Sequence, residues 1–206
     1  MRPVRKPRSV IRPAFRAGLA VAVLLLAGCA SSGVETTRYV LPADAGSADA
    51  ALPAAGDSTL LIAQPQLASH LDKEGIILQL DDITLNEATT NLWAAPLRQQ
   101  LERGMRDRLA RRLPDSQVLL SQGNSRRDAL TLELTVDQFQ GRNDGSAVAS
   151  GQWLLRNGDG SVRRHAPFQA AVVLDADGYP ALVRALGRSW DQVADDIADG
   201  FRTAVR

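Results

Sequence analysis

The chain divides at Cys29, its only cysteine, which stands where an uncharged and mostly apolar run, Ala17 to Gly28, stops. Ahead of that run lie Arg2, Arg5, Lys6, Arg8, Arg12 and Arg16, with no acidic residue among them. A basic region followed by a short apolar segment is the outline of a signal peptide. The segment is about a dozen residues, whereas a helix crossing a hydrocarbon core about 30 Å thick needs roughly 20. It therefore suits an exported, cleaved signal and not a permanent span.

The boundary itself, Leu26-Ala27-Gly28-Cys29, resembles the lipobox of bacterial lipoproteins, in which the cysteine sulfur takes a diacylglycerol before cleavage. The resemblance implies that residues 1–28 are a lipoprotein signal peptide and that Cys29 is the lipidation site. Residues 29–37 are then the lipidated N-terminus and tether. Each buried methylene contributes about 0.8 kcal/mol and two chains already anchor stably, so three acyl chains hold the protein on the membrane. A thiol used this way is no nucleophile, ligand or disulfide partner, and with no second cysteine the fold is not a disulfide scaffold. Ala30 and Ser31 follow Cys29 where an aspartate would mean retention at the inner membrane, so that rule points to the periplasmic face of the outer membrane.

Six of the 24 basic residues leave with the signal, so the mature part carries 18 against 23 acidic ones, a net charge of −5. That sign is opposite to a nucleic-acid binder's footprint, and no nucleic-acid partner is expected. The length left suits a single domain, residues 38–206, behind its tether.

Along that domain, Arg38 to Pro42 reads as a brief strand closed by proline. "PADAGSADAALPAAGD", Pro42 to Asp57, has almost nothing to bury and reads as a flexible loop. Ser58 to Ala63 and Gly75 to Leu80 are strand-like, with a turn or one helical turn between them in "QLASHLDK". A helix is expected from Pro96, a residue suited to the first helical position, because Leu97, Leu101, Met105, Leu109 and Leu113 recur every four residues until Pro114 stops it. Gln117–Leu120, Ala129–Phe139, Ala147–Arg156 and Val162–Leu174 read as strands. "GRNDG" and "NGDG" supply turn chemistry, so the last three form an antiparallel meander. A second amphipathic helix from Pro180 carries Leu182, Leu186, Trp190, Val193, Ile197, Phe201 and Val205 on one side. The expected fold class is α+β, a mostly antiparallel sheet with two main amphipathic helices packed on one face.

Chemistry is scarce. His70 and His165 sit in different elements, and no HxxxH or CxxC spacing occurs, so no metal site is expected. There is no G-x-S-x-G elbow and no phosphate-binding G-x-x-x-x-G-K-[ST]. Asn157 to Gly160 and Asp175 to Gly178 lack the further oxygens of a calcium loop and read as turns or helix caps. Asp81 and Asp82, the adjacent carboxylates a hydrolase would want, read as strand neighbours facing opposite sides. Arg98, Arg103, Arg106, Arg108, Arg111 and Arg112 read as the solvated side of the first helix, with lipid phosphates or an acidic partner as the alternative. Trp190 belongs to the core side of the last helix, Trp153 to a meander strand, and Trp93 to the approach of the first helix, where it is placed to staple its start. No catalytic residue and no cofactor is assigned.

The lipobox, Tyr39-Val40-Leu41, Leu71-Asp72, Trp93-Ala94-Ala95-Pro96-Leu97 and the strand pair in "FQGRNDGSAVASGQWLL" together resemble the ABC-type transport auxiliary lipoproteins in order and spacing. The resemblance covers nearly the whole mature chain and implies an α+β domain without catalytic residues. It implies partners too: an MCE-family periplasmic protein and its membrane transport complex, and the membrane through the lipid anchor. A ring-like homo-oligomer is compatible with the ring shape of MCE assemblies. The implied function is a non-enzymatic component of an intermembrane (phospho)lipid transport system at the outer membrane. The alternative is a structural or envelope-assembly lipoprotein that binds outer-membrane or cell-wall proteins and moves no lipid.

Overall fold

In the computed structural model, residues 35–43, 58–122, 124 and 128–205 are described. The signal segment, Cys29 and residues 44–57 of the expected loop lie outside them. Among the described residues nine strands and two helices follow in the order β1 (Thr37–Tyr39), β2 (Ser58–Ile62), β3 (Gln66–Leu67), β4 (Gly75–Gln79), β5 (Leu85–Trp93), α1 (Leu97–Arg112), β6 (Ser116–Leu120), β7 (Leu130–Arg142), β8 (Ser146–Arg156), β9 (Val162–Val173) and α2 (Tyr179–Val205).

The strand β7 organises the sheet. On one flank it begins the antiparallel meander β7–β8–β9, and on the other it receives β2, β3 and β4 in turn, all parallel to it. Farther out, β6 runs parallel to β2, β5 antiparallel to β4, and β1 parallel to β5. The long ladders are antiparallel, so the α+β expectation of a mostly antiparallel sheet holds, with several short parallel pairings added to it.

Local sequence explains why β7 can serve the core along its length. Leu132, Leu134 and Val136 alternate inward, and the alternation then slips by one at Asp137-Gln138, where the pairing with β8 shifts register. Such a bulge puts one extra residue on the strand, and here it returns Phe139 to the buried face. Opposite the bulge sits Gly151, where a Cβ would collide with the backbone carbonyl oxygen of Thr135. Only glycine allows that approach.

The helix α1 begins one residue later than its proline signal: Pro96 occupies the N-cap, and its carbonyl accepts from the N–H groups of Gln99 and Gln100 at 3.0 and 3.2 Å. At the other end Leu113 N–H closes on Leu109 O at 2.9 Å, and Pro114, having no N–H, ends the helix. Leu97, Leu101, Met105, Leu109 and Leu113 are all buried. The start of α2 is set by Gly178, whose φ of +95° suits glycine and whose carbonyl accepts from Leu182 N–H. Its apolar side is buried from Leu182 through Phe201, whereas Val205, expected on the same side, is exposed in the fraying last turn.

Both helices share one core with the sheet, α1 lying over β2 and β6, and α2 over β7, β8 and β9. Trp190 is its centre. Its ring meets Phe139 edge-on at 5.7 Å and Phe168 at 6.0 Å, while its indole N–H donates to Leu101 O at 3.3 Å, joining the two helices through a fully buried side chain. Trp93 does not staple a helix start. It ends β5, buried at 3% exposure, and faces Phe139 at 6.2 Å.

The fifth strand, "LNEATTNLW", is absent from the sequence reading because its polar residues do not alternate with apolar ones; seven of its nine positions are exposed or half-buried. It is a strand because β4 and β1 pair with it on both sides. β3 is likewise too short to signal itself.

Candidate functional site

The N-terminal chain is held by an arginine. Leu41 N–H donates to Gln100 Oε1 at 2.7 Å, and Pro42 O accepts from Arg108 Nη2 at 2.9 Å. The Arg108 Nε donates to Asp191 Oδ1 at 2.6 Å, and the guanidinium also reaches Gly104 O at 3.2 Å and Gly187 O at 3.3 Å. One residue thus ties α1, α2 and the segment after β1 together. Gly104 and Gly187, each four residues before a member of the ion pair, let these parts close in. A Cβ at Gly187 would press on the Pro42 ring at 3.3 Å, and one at Gly104 would sit 3.0 Å from Arg108 Nη1.

The arginine row on α1 is therefore not a uniformly solvated side. Arg108 is 1% exposed, and Arg112 Nε donates to Asp195 Oδ1 at 2.5 Å while Arg112 O accepts from Arg202 Nη2 at 2.6 Å. The cause is α2, which crosses the flank of α1 that carries these residues and presents Asp191 and Asp195 to them. Arg103 is exposed and Arg106 pairs with Asp107 at 2.8 Å, as solvated positions would.

Glu102 is also buried, at 4% exposure, and its Oε1 has no hydrogen-bond partner among the described residues. Burial pushes its carboxyl above the ordinary value of 4.5, with the Arg103 charge pulling weakly the other way. The folded state then binds more protons than the unfolded chain above that value, so this group lowers stability as pH rises through and beyond it. Glu102→Gln is expected to be more stable than the parent by about 1 kcal/mol at neutral pH, with the difference fading near pH 4. Denaturant midpoints at both pH values check this, and a variant less stable at neutral pH contradicts it.

The motif segments converge at one end of the sheet. Trp93 N–H donates to Glu74 O and Ala94 N–H to Tyr39 O, both at 2.7 Å. Arg98 Nη2 pairs with Asp72 Oδ2 at 2.9 Å, and Arg38 Nη1 reaches Trp93 O at 3.3 Å. Tyr39, Leu71-Asp72 and Trp93–Leu97, far apart in sequence, thus form one unit around an open cleft of about 270 Å³ walled by Arg38, Asp72, Glu74 and Pro96. Sequence reading named these segments but not their meeting.

The candidate residues of the sequence reading are not brought together among the described residues. His70 lies in the turn after β3 and His165 on β9, and among the described residues no group of three His, Cys, Asp or Glu could hold a metal. Asp81 and Asp82 are not strand neighbours; they form the bend between β4 and β5. Asp81 Oδ1 accepts from the N–H groups of Ile83 and Thr84 at 2.9 and 2.7 Å, which lowers its pKa and fixes the turn. Asp159 does the same for the β8–β9 turn, accepting from Ser161 N–H at 2.9 Å and Ser161 Oγ at 2.6 Å. Asp175 pairs with Arg188 at 2.9 Å. No helix among the described residues is long and apolar enough to cross a membrane.

A sheet of this topology under two helices, with these segments gathered at one end, belongs to a known class. The chain is a member of the family described as the ABC-type transport auxiliary lipoprotein component, whose model matches residues 39–198. It is 34% identical over 182 residues, 88% of this chain and 95% of the relative, to the intermembrane transport lipoprotein PqiC of Escherichia coli (strain K12), and equally to that of Shigella flexneri. A crystal structure of an uncharacterized protein superposes with a TM-score of 0.70 at 32% identity, covering 81% of this chain and 99% of that one. A second, from Xanthomonas campestris, shares the fold with a TM-score of 0.59 at 20% identity, covering 79% and 90%.

Proposed function

We propose that this protein is a lipoprotein anchored through Cys29 to the periplasmic face of the outer membrane. There it acts as a non-enzymatic component of an MCE-type intermembrane lipid transport system, docking the outer-membrane end of its conduit. The observation that carries the reading is the likeness, along nearly the whole domain, to a lipoprotein named for intermembrane transport. Two features of the domain support it. Charged groups capable of chemistry hold structure instead: buried Arg108 clasps the N-terminal segment and Asp191, and the exposed turn carboxylates Asp81 and Asp159 hold backbone. The motif segments form an open cleft suited to a protein contact more than to enclosing a small substrate.

Crosslinking in intact cells followed by purification through a C-terminal tag is expected to recover an MCE protein. Failure to recover one contradicts the proposal. Tracing phospholipid between the two membranes then separates it from an envelope-assembly role, which leaves lipid distribution unchanged on deletion.

A further inference from the structure

Most large apolar side chains of the described residues are buried; of the exposed ones Val40, Val162 and Val205 lie in other elements, but three are gathered in one turn. Leu80, Ile83 and Leu85 are 50%, 87% and 41% exposed, and all three belong to the tip of the β4–β5 hairpin. The tip is well built: Leu80 N–H donates to Thr84 O at 2.9 Å, Gln79 pairs with Leu85, and Asp81 receives the N–H groups of Ile83 and Thr84. That turn leaves Ile83 at the apex, pointing at nothing in the domain. Because Leu80 pairs across from Thr84 and Leu85 from Gln79, the two leucines lie on opposite faces of the hairpin. Val173, 75% exposed, ends β9 at the same end of the sheet, which the registers Leu78–Gly141 and Ser146–Val173 align with the hairpin base.

The direction in which the chain enters the domain selects the occupant. The first strand is parallel to β5, with Thr37 beside Asn91, so its entering end faces the start of β5, where the hairpin tip is. From Asn91 back to Leu85 is roughly 20 Å of strand. Seven residues lie between Cys29 and Thr37, and the eight steps from one to the other reach at most about 28 Å. An acyl group on Cys29 can therefore lie level with the tip. A protein groove would read one face of a hairpin, whereas apolar side chains on both faces and at the apex suit a medium that surrounds it. The paired Asp81 and Asp82 match the polar headgroup layer and disfavour anionic lipid.

We propose that the β4–β5 tip, through Leu80, Ile83 and Leu85, dips into the uncharged phospholipid surface beside the lipid anchor and orients the domain on it. This rests on the anchor reading above. It places the motif cleft, at the far end of β5, away from the membrane and toward a partner.

The test uses the full chain, processed in cells and purified with its acyl groups, in vesicles of phosphatidylcholine and phosphatidylethanolamine. Because Cys29 is acylated, Ile83→Cys offers the single free thiol for an environment-sensitive dye, and Gly158→Cys, in the β8–β9 turn at the opposite end, is the control. The dye at position 83 is expected to shift to the blue and to be quenched several-fold more by brominated lipid than the dye at position 158. An acylated, vesicle-bound chain whose dye at 83 stays water-like overturns the tip proposal while leaving the anchor intact. So does a dye that responds only when an MCE protein is added. A chain without acyl groups by mass overturns the anchor reading, and the tip proposal with it.

Discussion

Arg108→Leu is expected to lower the stability of the folded domain by about 3–5 kcal/mol, the cost of removing one member of a buried ion pair. Asp191 would lose the guanidinium that donates to it at 2.6 Å, and the carbonyls of Pro42, Gly104 and Gly187 would each lose a donor. Replacing both charges, Arg108→Leu with Asp191→Leu, is expected to recover much of the loss, because two apolar side chains leave no uncompensated charge. Arg112→Ala serves as the contrast. Arg112 is 15% exposed and its partner Asp195 62%, so this pair stays open to water on one side and its loss is expected to be smaller than that at Arg108. Denaturant titrations of the four proteins decide the matter; a loss at Arg108 no larger than at Arg112 would remove the clasp from the account of stability.

For Cys29→Ser the expected effect is on processing. The variant should accumulate as an unprocessed precursor of lower mobility and take up no labelled fatty acid, because serine lacks the thioether-forming sulfur. At about 0.8 kcal/mol per buried methylene, the acyl chains would supply most of the mature domain's anchoring energy, and no helix among the described residues is long and apolar enough to cross a membrane in their place. Normal acylation of the serine variant would overturn the lipobox reading.

What could be read from sequence follows how local its cause is. Both helices announced themselves through apolar residues repeated three or four apart, and the meander through alternation broken by turn residues. Even the bulge in β7 is written in the order Leu-Thr-Leu-Glu-Leu-Thr-Val-Asp-Gln-Phe, where the spacing changes from two to three before Phe139. The fifth strand left no such trace, since its conformation comes from neighbours on either side and not from its own residues. The parallel pairings of β2, β3 and β4 with β7 were invisible for the same reason: each joins only two or three residues across a long stretch of sequence. The burial of Arg108 depends on a helix more than 70 residues away. One signal for it existed, the matched spacings Gly104 to Arg108 and Gly187 to Asp191, which mark a thin place on each helix beside a charge. The motif segments were recognised singly, but only folding shows that they form one surface.

The strand β1 lies parallel to β5, with its entering end directed along its neighbour. Tension arriving from a membrane anchor through Thr37 would act along the strand axis and load the three residue pairs of that ladder together in shear, instead of peeling them off one at a time. Behind them stands Arg108, gripping Pro42 from between the two helices. A pull of that kind would in this way pass beyond the edge ladder to a buried side chain that both helices share.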